Sequence, residues 1–186
     1  MYLLVGLGNI GSEYELTRHN FGFLLLDQIV EDFGFTSQSK KFKSEVFSGV
    51  IAGEKIVALK PQTFVNRSGI AVLEAANFYK IEPKNILVFH DDLDLALGKV
   101  KVKIGGGNAG HNGLKSIDEM IGKHYTRLRL GIGRPENKEF DMADYVLGKF
   151  TREEMITVSK INEKISDLIE EILEGRVDGF LNKFYL

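Results

Sequence analysis

The hydrophobic and polar positions of this chain fall into short periodic segments that predict alternating strands and helices. Apolar or alternating runs predict strands at residues 2–5, 85–90, 99–104 and 126–132, and a hairpin over residues 45–59 that turns at Ala52–Gly53–Glu54. Apolar residues at helical spacing predict helices at residues 21–33, 68–79 and 114–121. This order predicts an α/β fold in which a sheet of mixed strand direction is covered on both faces.

The last third of the chain predicts one long helix. Thr151-Arg152-Glu153-Glu154 has the pattern of a capping box, and Gly175 marks the end. Between them one apolar stripe, expected to lie in the core, is formed by Ile161, Ile165, Leu168, Ile169, Ile172 and Leu173. The packing of residues 180–186 does not follow from the pattern.

Length and composition narrow the class of protein. The 186 residues fit a single domain spanning 1–186, and the absence of cysteine excludes disulfides, thiolate nucleophiles and cysteine-bound zinc. No apolar run has the 18 or so residues of a membrane span, and the N-terminus lacks a signal-peptide pattern. We therefore expect a soluble, cytoplasmic protein.

A glycine motif near the N-terminus invites a different interpretation. Gly6-Leu7-Gly8-Asn9-Ile10-Gly11 has the GxGxxG spacing of dinucleotide-binding sites. In such sites a helix begins at the last glycine, whereas here the helical pattern begins only near Phe21 and no acidic residue ends a second strand at the required distance. The loop instead carries an amide, Asn9, and an imidazole, His19, which favours a reaction site.

His19 and Asp91 are the first candidates for chemistry. An imidazole can take up a proton near neutral pH, and a carboxylate directly after an apolar strand can orient that imidazole. The run His90-Asp91-Asp92-Leu93-Asp94 could alternatively hold a magnesium ion. The chain has no GxSxG motif, so the pair is better matched to a water nucleophile.

Four asparagines accompany this pair: Asn9, Asn20, Asn66 and Asn112. Each alone is typical of a turn, but together beside a histidine and an aspartate they indicate neutral donors for a developing oxyanion. They lie in loops that leave strand ends at residues 7–20, 61–68 and 105–112, and a fourth such loop covers residues 90–97. We expect the four loops to converge on one crevice.

The charge distribution indicates an anion site on an acidic protein. The net charge is −2, yet eight basic and two acidic residues between Gly98 and Arg134 give that segment +6. Lys101 and Lys103 lie two apart on one strand and therefore on one face, with Arg129, and less strongly Arg127, on the next strand. The run from Gly105 to Gly113 contains five glycines, which predicts positive φ or a close backbone approach, and we expect free amides at the helix beyond it.

These residues together resemble the bacterial-type peptidyl-tRNA hydrolase family. The resemblance covers nearly the whole chain through Val5–Asn9, Thr17–Asn20, Phe64–Gly69, His90–Asp94, Gly105–Gly113 and Arg127–Gly133. Three positions depart from the family pattern. Ile10 stands where proline is usual, Val65 where methionine is usual, and Asn108-Ala109 where Ser/His-Gly is usual.

The resemblance implies a single three-layer α/β/α globule with a twisted mixed sheet, monomeric and without metal or cofactor. It implies hydrolysis of the ester between a peptide and the tRNA 3′ ribose, with His19 as general base, Asp91 orienting it and Asn9 binding water or the carbonyl oxygen. The implied substrate-binding residues are Tyr14, Asn20, Phe64, Asn66, His111 and Asn112. Lys101, Lys103 and Arg129 are implied to bind tRNA phosphates.

Two other functions remain open on the residues alone. A nucleotide-dependent oxidoreductase would use the first glycine motif to bind the nucleotide. The late start of the helical pattern after that motif argues against this function. A non-catalytic RNA-binding module would need only the basic segment and would leave the histidine–aspartate pair without a role.

Overall fold

The computed structural model describes all 186 residues, and its elements follow the predicted order with three additions. The strands are β1 (Tyr2–Gly6), β2 (Thr36–Ser37), β3 (Ser44–Ile51), β4 (Glu54–Pro61), β5 (Ile86–Asp92), β6 (Val100–Ile104) and β7 (Thr126–Gly131). The helices are α1 (Phe21–Asp32), α2 (Ser68–Tyr79), α3 (Asn112–Ile121), α4 (Met142–Val146), α5 (Arg152–Leu173) and α6 (Val177–Phe184). The predicted hairpin is confirmed, whereas β2, α4 and α6 have patterns too short to be recognised.

All seven strands form one sheet in the order β2-β3-β4-β1-β5-β7-β6. The four central strands β4, β1, β5 and β7 are parallel to their neighbours within this group, and β2, β3 and β6 are added antiparallel. The predicted mixed sheet is therefore confirmed. Because the carboxyl ends of parallel strands share one edge, the loops after β1, β4, β5 and β7 leave the sheet together.

Alternating side chains of the sheet pack against helices on both faces. In β1, Leu4 faces a core formed with α1, α5 and α6, while Leu3 and Val5 face a second core formed with α2 and α3. The predicted stripe of α5 lies in the first core, and the capping box at Thr151 is present. The chain end belongs to the same core through Phe180 and Phe184. No helix has the length and apolar character to cross a membrane.

The glycine-rich loop follows β6 as predicted, but it reaches the cleft from the other edge of the sheet. Because β6 is antiparallel to β7, its last residue Ile104 lies opposite Thr126, which in turn lies opposite Leu87 near the start of β5. The loop after β6 therefore leaves from the opposite edge of the sheet. It reaches the end of β5 by running back along the sheet face. The distance along the strand from Leu87 to Asp91 is four residues, or about 13 Å.

Candidate active site

A cleft of about 500 Å³ opens at the carboxyl edge of the parallel strands. Eight of the twelve predicted site residues line it, namely Asn9, Tyr14, His19, Phe64, Asn66, Asp91, His111 and Asn112. The other four are Asn20, which lies beneath the cleft wall, and Lys101, Lys103 and Arg129, which lie on neighbouring strands. The predicted convergence of the four loops is thus present in the fold.

His19 and Asp91 are 72 residues apart in sequence and in direct contact. The imidazole Nδ1 lies 2.9 Å and 3.0 Å from the two carboxylate oxygens. His19 occupies a 3-10 turn immediately before α1, and Gly22 lets α1 approach the sheet so closely that a Cβ there would lie 2.2 Å from the Phe89 carbonyl oxygen. With Nδ1–H donated to Asp91, the lone pair of Nε2 is available on a ring whose side chain is 14% exposed.

His111 is the second imidazole held by Asp91. Its Nε2 lies 2.9 Å from Asp91 Oδ1, while its Nδ1 accepts hydrogen bonds from the amides of Gly113 and Leu114. A nitrogen that accepts from amides carries no proton, so the other nitrogen must donate to Asp91. The expectation of free amides at the start of α3 was therefore wrong, because the His111 side chain caps them.

The charge state of the site follows from these contacts. Burial alone would raise the pKa of Asp91, but the imidazoles of His19 and His111, through charge and hydrogen bonds, lower it far below its usual range. For His19, burial opposes protonation, and the charge and hydrogen bond of Asp91 outweigh it, so the pKa is raised above 6.5. Burial and the adjacent His111 lower the pKa of His90 to about 3, which keeps that ring neutral.

Three hydrogen bonds hold Asn9, two at its backbone and one at its side chain. The Asn20 carboxamide accepts from the Asn9 backbone N–H at 2.8 Å and donates to the Asn9 backbone carbonyl at 3.0 Å. The Asn9 Oδ1 accepts from the Val65 amide at 3.0 Å, so its Nδ2 donor group remains for the cleft that Asn9 lines. Asn20 is 2% exposed and does not line the cleft, so its carboxamide acts on Asn9.

The remaining predicted binding residues present unpaired groups. The carboxamides of Asn66 and Asn112 and the hydroxyl of Tyr14 make no hydrogen bond to the protein, and all three residues line the cleft. Phe64 is 56% exposed, a large apolar surface beside polar groups. These side chains can therefore take up the polar and apolar parts of a bound molecule.

The structure adds an apolar wall that the sequence analysis missed. It is formed by α4 and its end, with Met142, Ala143, Val146 and Leu147. Arg18, next to His19, fixes this segment, because its guanidinium lies 4.3 Å from the Tyr145 ring centroid and pairs with Glu154 at 3.1 Å. The cap at Asp141, which accepts from the Ala143 amide, is the local signal that could have predicted α4.

The three acids of residues 91–94 do not form one ligand set. Asp92 accepts from Arg129 Nε at 2.8 Å and from the Asp94 amide, while Asp94 pairs with Arg134 at the surface. The group with ligand atoms close enough for a metal ion is His19, Asp91 and His111, within 4.8 Å of one another. An ion there would have to displace the hydrogen bonds that join these side chains.

The predicted basic residues lie on one face of β6 and β7. Lys101 is opposite Arg129 and Lys103 is opposite Arg127 in the antiparallel register, and Arg129 lies beside His90 of β5. Both lysines are exposed, and Arg129 uses only Nε for its bond to Asp92. Arg127 was a weaker candidate for phosphate, and that interpretation was wrong because its side chain is 1% exposed and paired with Asp118.

A histidine–aspartate pair beside amide donors at the carboxyl edge of an α/β sheet is typical of a hydrolytic enzyme. The chain matches the model of the peptidyl-tRNA hydrolase family over residues 3–185 and therefore belongs to that family, as its motifs predicted. It is 51% identical over 182 residues to the peptidyl-tRNA hydrolase of Wolbachia pipientis wMel, with 98% of each chain covered. It is 46% identical over 184 residues to that of Rickettsia africae, covering 98% of this chain and 99% of the relative.

Solved structures agree with these sequence relatives. The crystal structure of peptidyl-tRNA hydrolase from Acinetobacter baumannii matches with a TM-score of 0.92 and 39% identity, covering 99% of this chain and 94% of that one. The predicted fold class is therefore confirmed.

Proposed function

We propose that this protein hydrolyses the ester bond between a peptide and the 3′ ribose of tRNA. The observation that carries the proposal is the contact between His19 and Asp91 in a cleft that Asn9, Asn66 and Asn112 also line. Membership of the peptidyl-tRNA hydrolase family supports the same substrate.

In the proposed mechanism, His19 Nε2 removes a proton from a water molecule as the water oxygen attacks the ester carbonyl carbon. The negative charge moves to the carbonyl oxygen, where Asn9 Nδ2 donates a hydrogen bond. The carbon–oxygen bond to the ribose then breaks, and His19 returns its proton to the leaving 3′ oxygen. Asp91 remains ionised and stabilises the imidazolium in between.

The attacking group is proposed to be water because the cleft has no alkyl hydroxyl or thiol, and its one hydroxyl is the phenol of Tyr14, which is assigned to substrate binding. The cleft lining contains no serine, threonine or cysteine. A covalent acyl-enzyme is therefore not part of the proposal. Rapid mixing of excess peptidyl-tRNA with the protein should show no initial burst of tRNA, whereas accumulation of an acyl-enzyme would release tRNA before the peptide.

Substrate binding is proposed to divide between the cleft and the basic strands. Asn66, Asn112, Tyr14 and Phe64 would hold the peptidyl end, and His111 would support Asp91 from the other side. Lys101, Lys103 and Arg129 would bind tRNA phosphates. Arg129 lies one strand spacing from β5, about 5 Å, and the two lysines lie two spacings from it, about 10 Å. The phosphates proposed for this contact are the 5′-phosphate and those of the acceptor stem of the same tRNA.

The proposed reaction needs one copy of the chain and no metal ion or cofactor. All the groups named above come from residues 1–186 of a single domain, so the proposed active form is a monomer. The cytoplasm is the proposed location because the family acts on a product of translation. Asn20 is proposed to act through Asn9 rather than on the substrate.

Incubation with peptidyl-tRNA in the presence of a metal chelator tests the proposal. Release of free tRNA is expected, and it would distinguish this function from the two alternatives. Binding of NAD with no release would support an oxidoreductase, and binding of tRNA with no release would support an RNA-binding module.

A further inference from the structure

The loop of residues 105–111 holds His111 in the cleft, yet few contacts hold the loop itself. It runs along the sheet face between the end of β6 and the start of α3, and three of its glycines have positive φ, Gly105, Gly106 and Gly110. Between Gly106 and Gly110, one hydrogen bond joins it to another element. In that bond, Arg127 Nη1 of β7 donates to the Gly107 carbonyl at 2.7 Å.

Arg127 belongs to a buried polar cluster beneath the loop. Its Nη2 donates to Asp118 Oδ1 at 2.8 Å, and the Tyr125 hydroxyl donates to the same oxygen at 2.7 Å. The guanidinium also lies 4.8 Å from the Tyr125 ring centroid. The side chains of Arg127 and Asp118 are 1% and 7% exposed, so the pair is removed from water.

This cluster is difficult to explain by stability alone. A buried ion pair is often no more stabilising than well-packed apolar residues of similar size, because its desolvation offsets its attraction. Here Arg127 Nε and Asp118 Oδ2 also lack any partner. The arrangement does, however, let one planar guanidinium contact the loop and α3 at the same time.

We propose that Arg127 is a positioning residue for hydrolysis, which fixes the segment between Gly107 and Asp118 and thereby sets His111 and Asn112 against Asp91. The inference rests on the proposed function. One Nη group holds the loop ahead of His111 and the other holds α3 beyond it. The first turn of α3 therefore has an anchor on each side.

Movement of His111 would lower the rate, because the proposed reaction depends on the exact positions of the side chains in the cleft. His111 reaches Asp91 over 2.9 Å, and Asp91 in turn orients His19. A displacement of about 1 Å in such an arrangement can cost about 10²-fold in rate. Arg127 does not line the cleft, so its loss can act on the reaction only through the loop and α3.

A variant that replaces the whole cluster by apolar residues tests the proposal. Arg127→Met, Asp118→Leu and Tyr125→Phe together leave no uncompensated buried charge, so the fold should survive. We expect kcat for peptidyl-tRNA to fall by about 10- to 100-fold with KM within about twofold. Amide hydrogen exchange should become faster at residues 106–114 and remain unchanged in β5.

Arg127→Lys provides a second variant if the triple variant does not fold. Lysine keeps a charge for Asp118 but lacks the second arm for Gly107, so kcat should again fall more than KM changes. The control is Arg176→Met with Glu171→Leu, which removes an ion pair between α5 and the residue before α6. Neither residue lines the cleft, so kcat should be unchanged.

Either of two results would overturn the proposal. One is a folded variant with wild-type kcat and unchanged exchange in the loop. The other is a rise in KM alone, which would make Arg127 a phosphate contact instead. Failure of the proposed function would look different, because the unsubstituted protein would then release no tRNA while the exchange measurement would still report on the loop.

Discussion

The cleft and the basic strands of this protein differ in how firmly their polar side chains are held. Around the cleft, Asp91, Asn20 and Asn9 are buried, and hydrogen bonds to other parts of the chain fix their side chains. On the basic strands, Lys101 and Lys103 are exposed and make no hydrogen bond within the protein. The difference agrees with the two proposed roles, because proton transfer requires fixed geometry whereas attraction of phosphates requires charge in the right region.

The substitution with the largest expected effect on the cleft is Asp91→Asn. The new amide can donate to His19 Nδ1, which forces the proton onto Nε2 and removes the lone pair that accepts the proton from water. We expect kcat to fall by about 10⁴-fold, measured by release of tRNA from peptidyl-tRNA. Asp167→Asn, an exposed site on α5, is the control and should behave as wild type. Activity within tenfold of wild type would remove Asp91 from the mechanism.

His19→Ala removes the base itself and should lower kcat by about 10²- to 10⁴-fold without unfolding the protein. The fold is checked by circular dichroism. A well-folded variant with nearly normal turnover would contradict the role of His19.

The pH dependence provides an independent measure of the same group. In the proposed mechanism the neutral imidazole of His19 is the active form. Because Asp91 raises the pKa of His19, kcat/KM should rise with pH and level off above a midpoint higher than 6.5. The raised pKa also contributes folding stability that is present below pH 6.5 and lost as the pH rises through the folded-state value. His19→Ala should therefore destabilise more at pH 5.5 than at pH 8.5, and a reversed order would disprove the shift.

Asn20→Ala tests whether catalysis requires Asn9 to be held in place by its neighbour Asn20. The change removes two buried hydrogen bonds to the Asn9 backbone, which should cost about 1–3 kcal/mol of stability and lower kcat by about tenfold. Asn162→Ala is a control for burial alone, because it removes a buried asparagine of α5 whose side chain makes no hydrogen bond, and it should leave kcat unchanged. Equal kcat losses in both variants would point to general destabilisation instead.

Lys101→Ala with Lys103→Ala tests the region that depends on charge. KM for peptidyl-tRNA should rise and kcat should change little. The slope of log affinity against log salt should decrease by about 1.4 to 1.8 for two lost phosphate contacts. A short peptidyl-nucleotide ester should be hydrolysed as by wild type. Loss on both substrates would assign the lysines to the chemistry.

The fold was predictable from the sequence wherever the pattern was local and long. For helix α5, Thr151 predicted the start, Gly175 predicted the end, and the apolar stripe from Ile161 to Leu173 predicted the buried face. The two-residue β2 and the short helices α4 and α6 escaped because a few residues do not establish a period.

The site was predictable as a set of residues but not as an arrangement. Spacing and residue type made His19, Asp91 and Asn9 candidates, since few other side chains can move a proton or bind an oxyanion at neutral pH, and the fold places all three in one cleft. The same reasoning assigned free amides to α3 and a phosphate role to Arg127, and both were wrong. Capping by His111 and burial of Arg127 depend on contacts between elements.

The sequence by itself determined which segments become strands and helices, and which chemical groups the chain can bring to a reaction. Only the tertiary structure decided that His111 donates to Asp91, that Asn20 hydrogen-bonds to the backbone of Asn9, and that Arg127 lies under the glycine loop. The physical reason is that periodicity and capping act over a few residues. Contacts such as that between His19 and Asp91, 72 residues apart, depend on the register and direction of strands in the folded sheet.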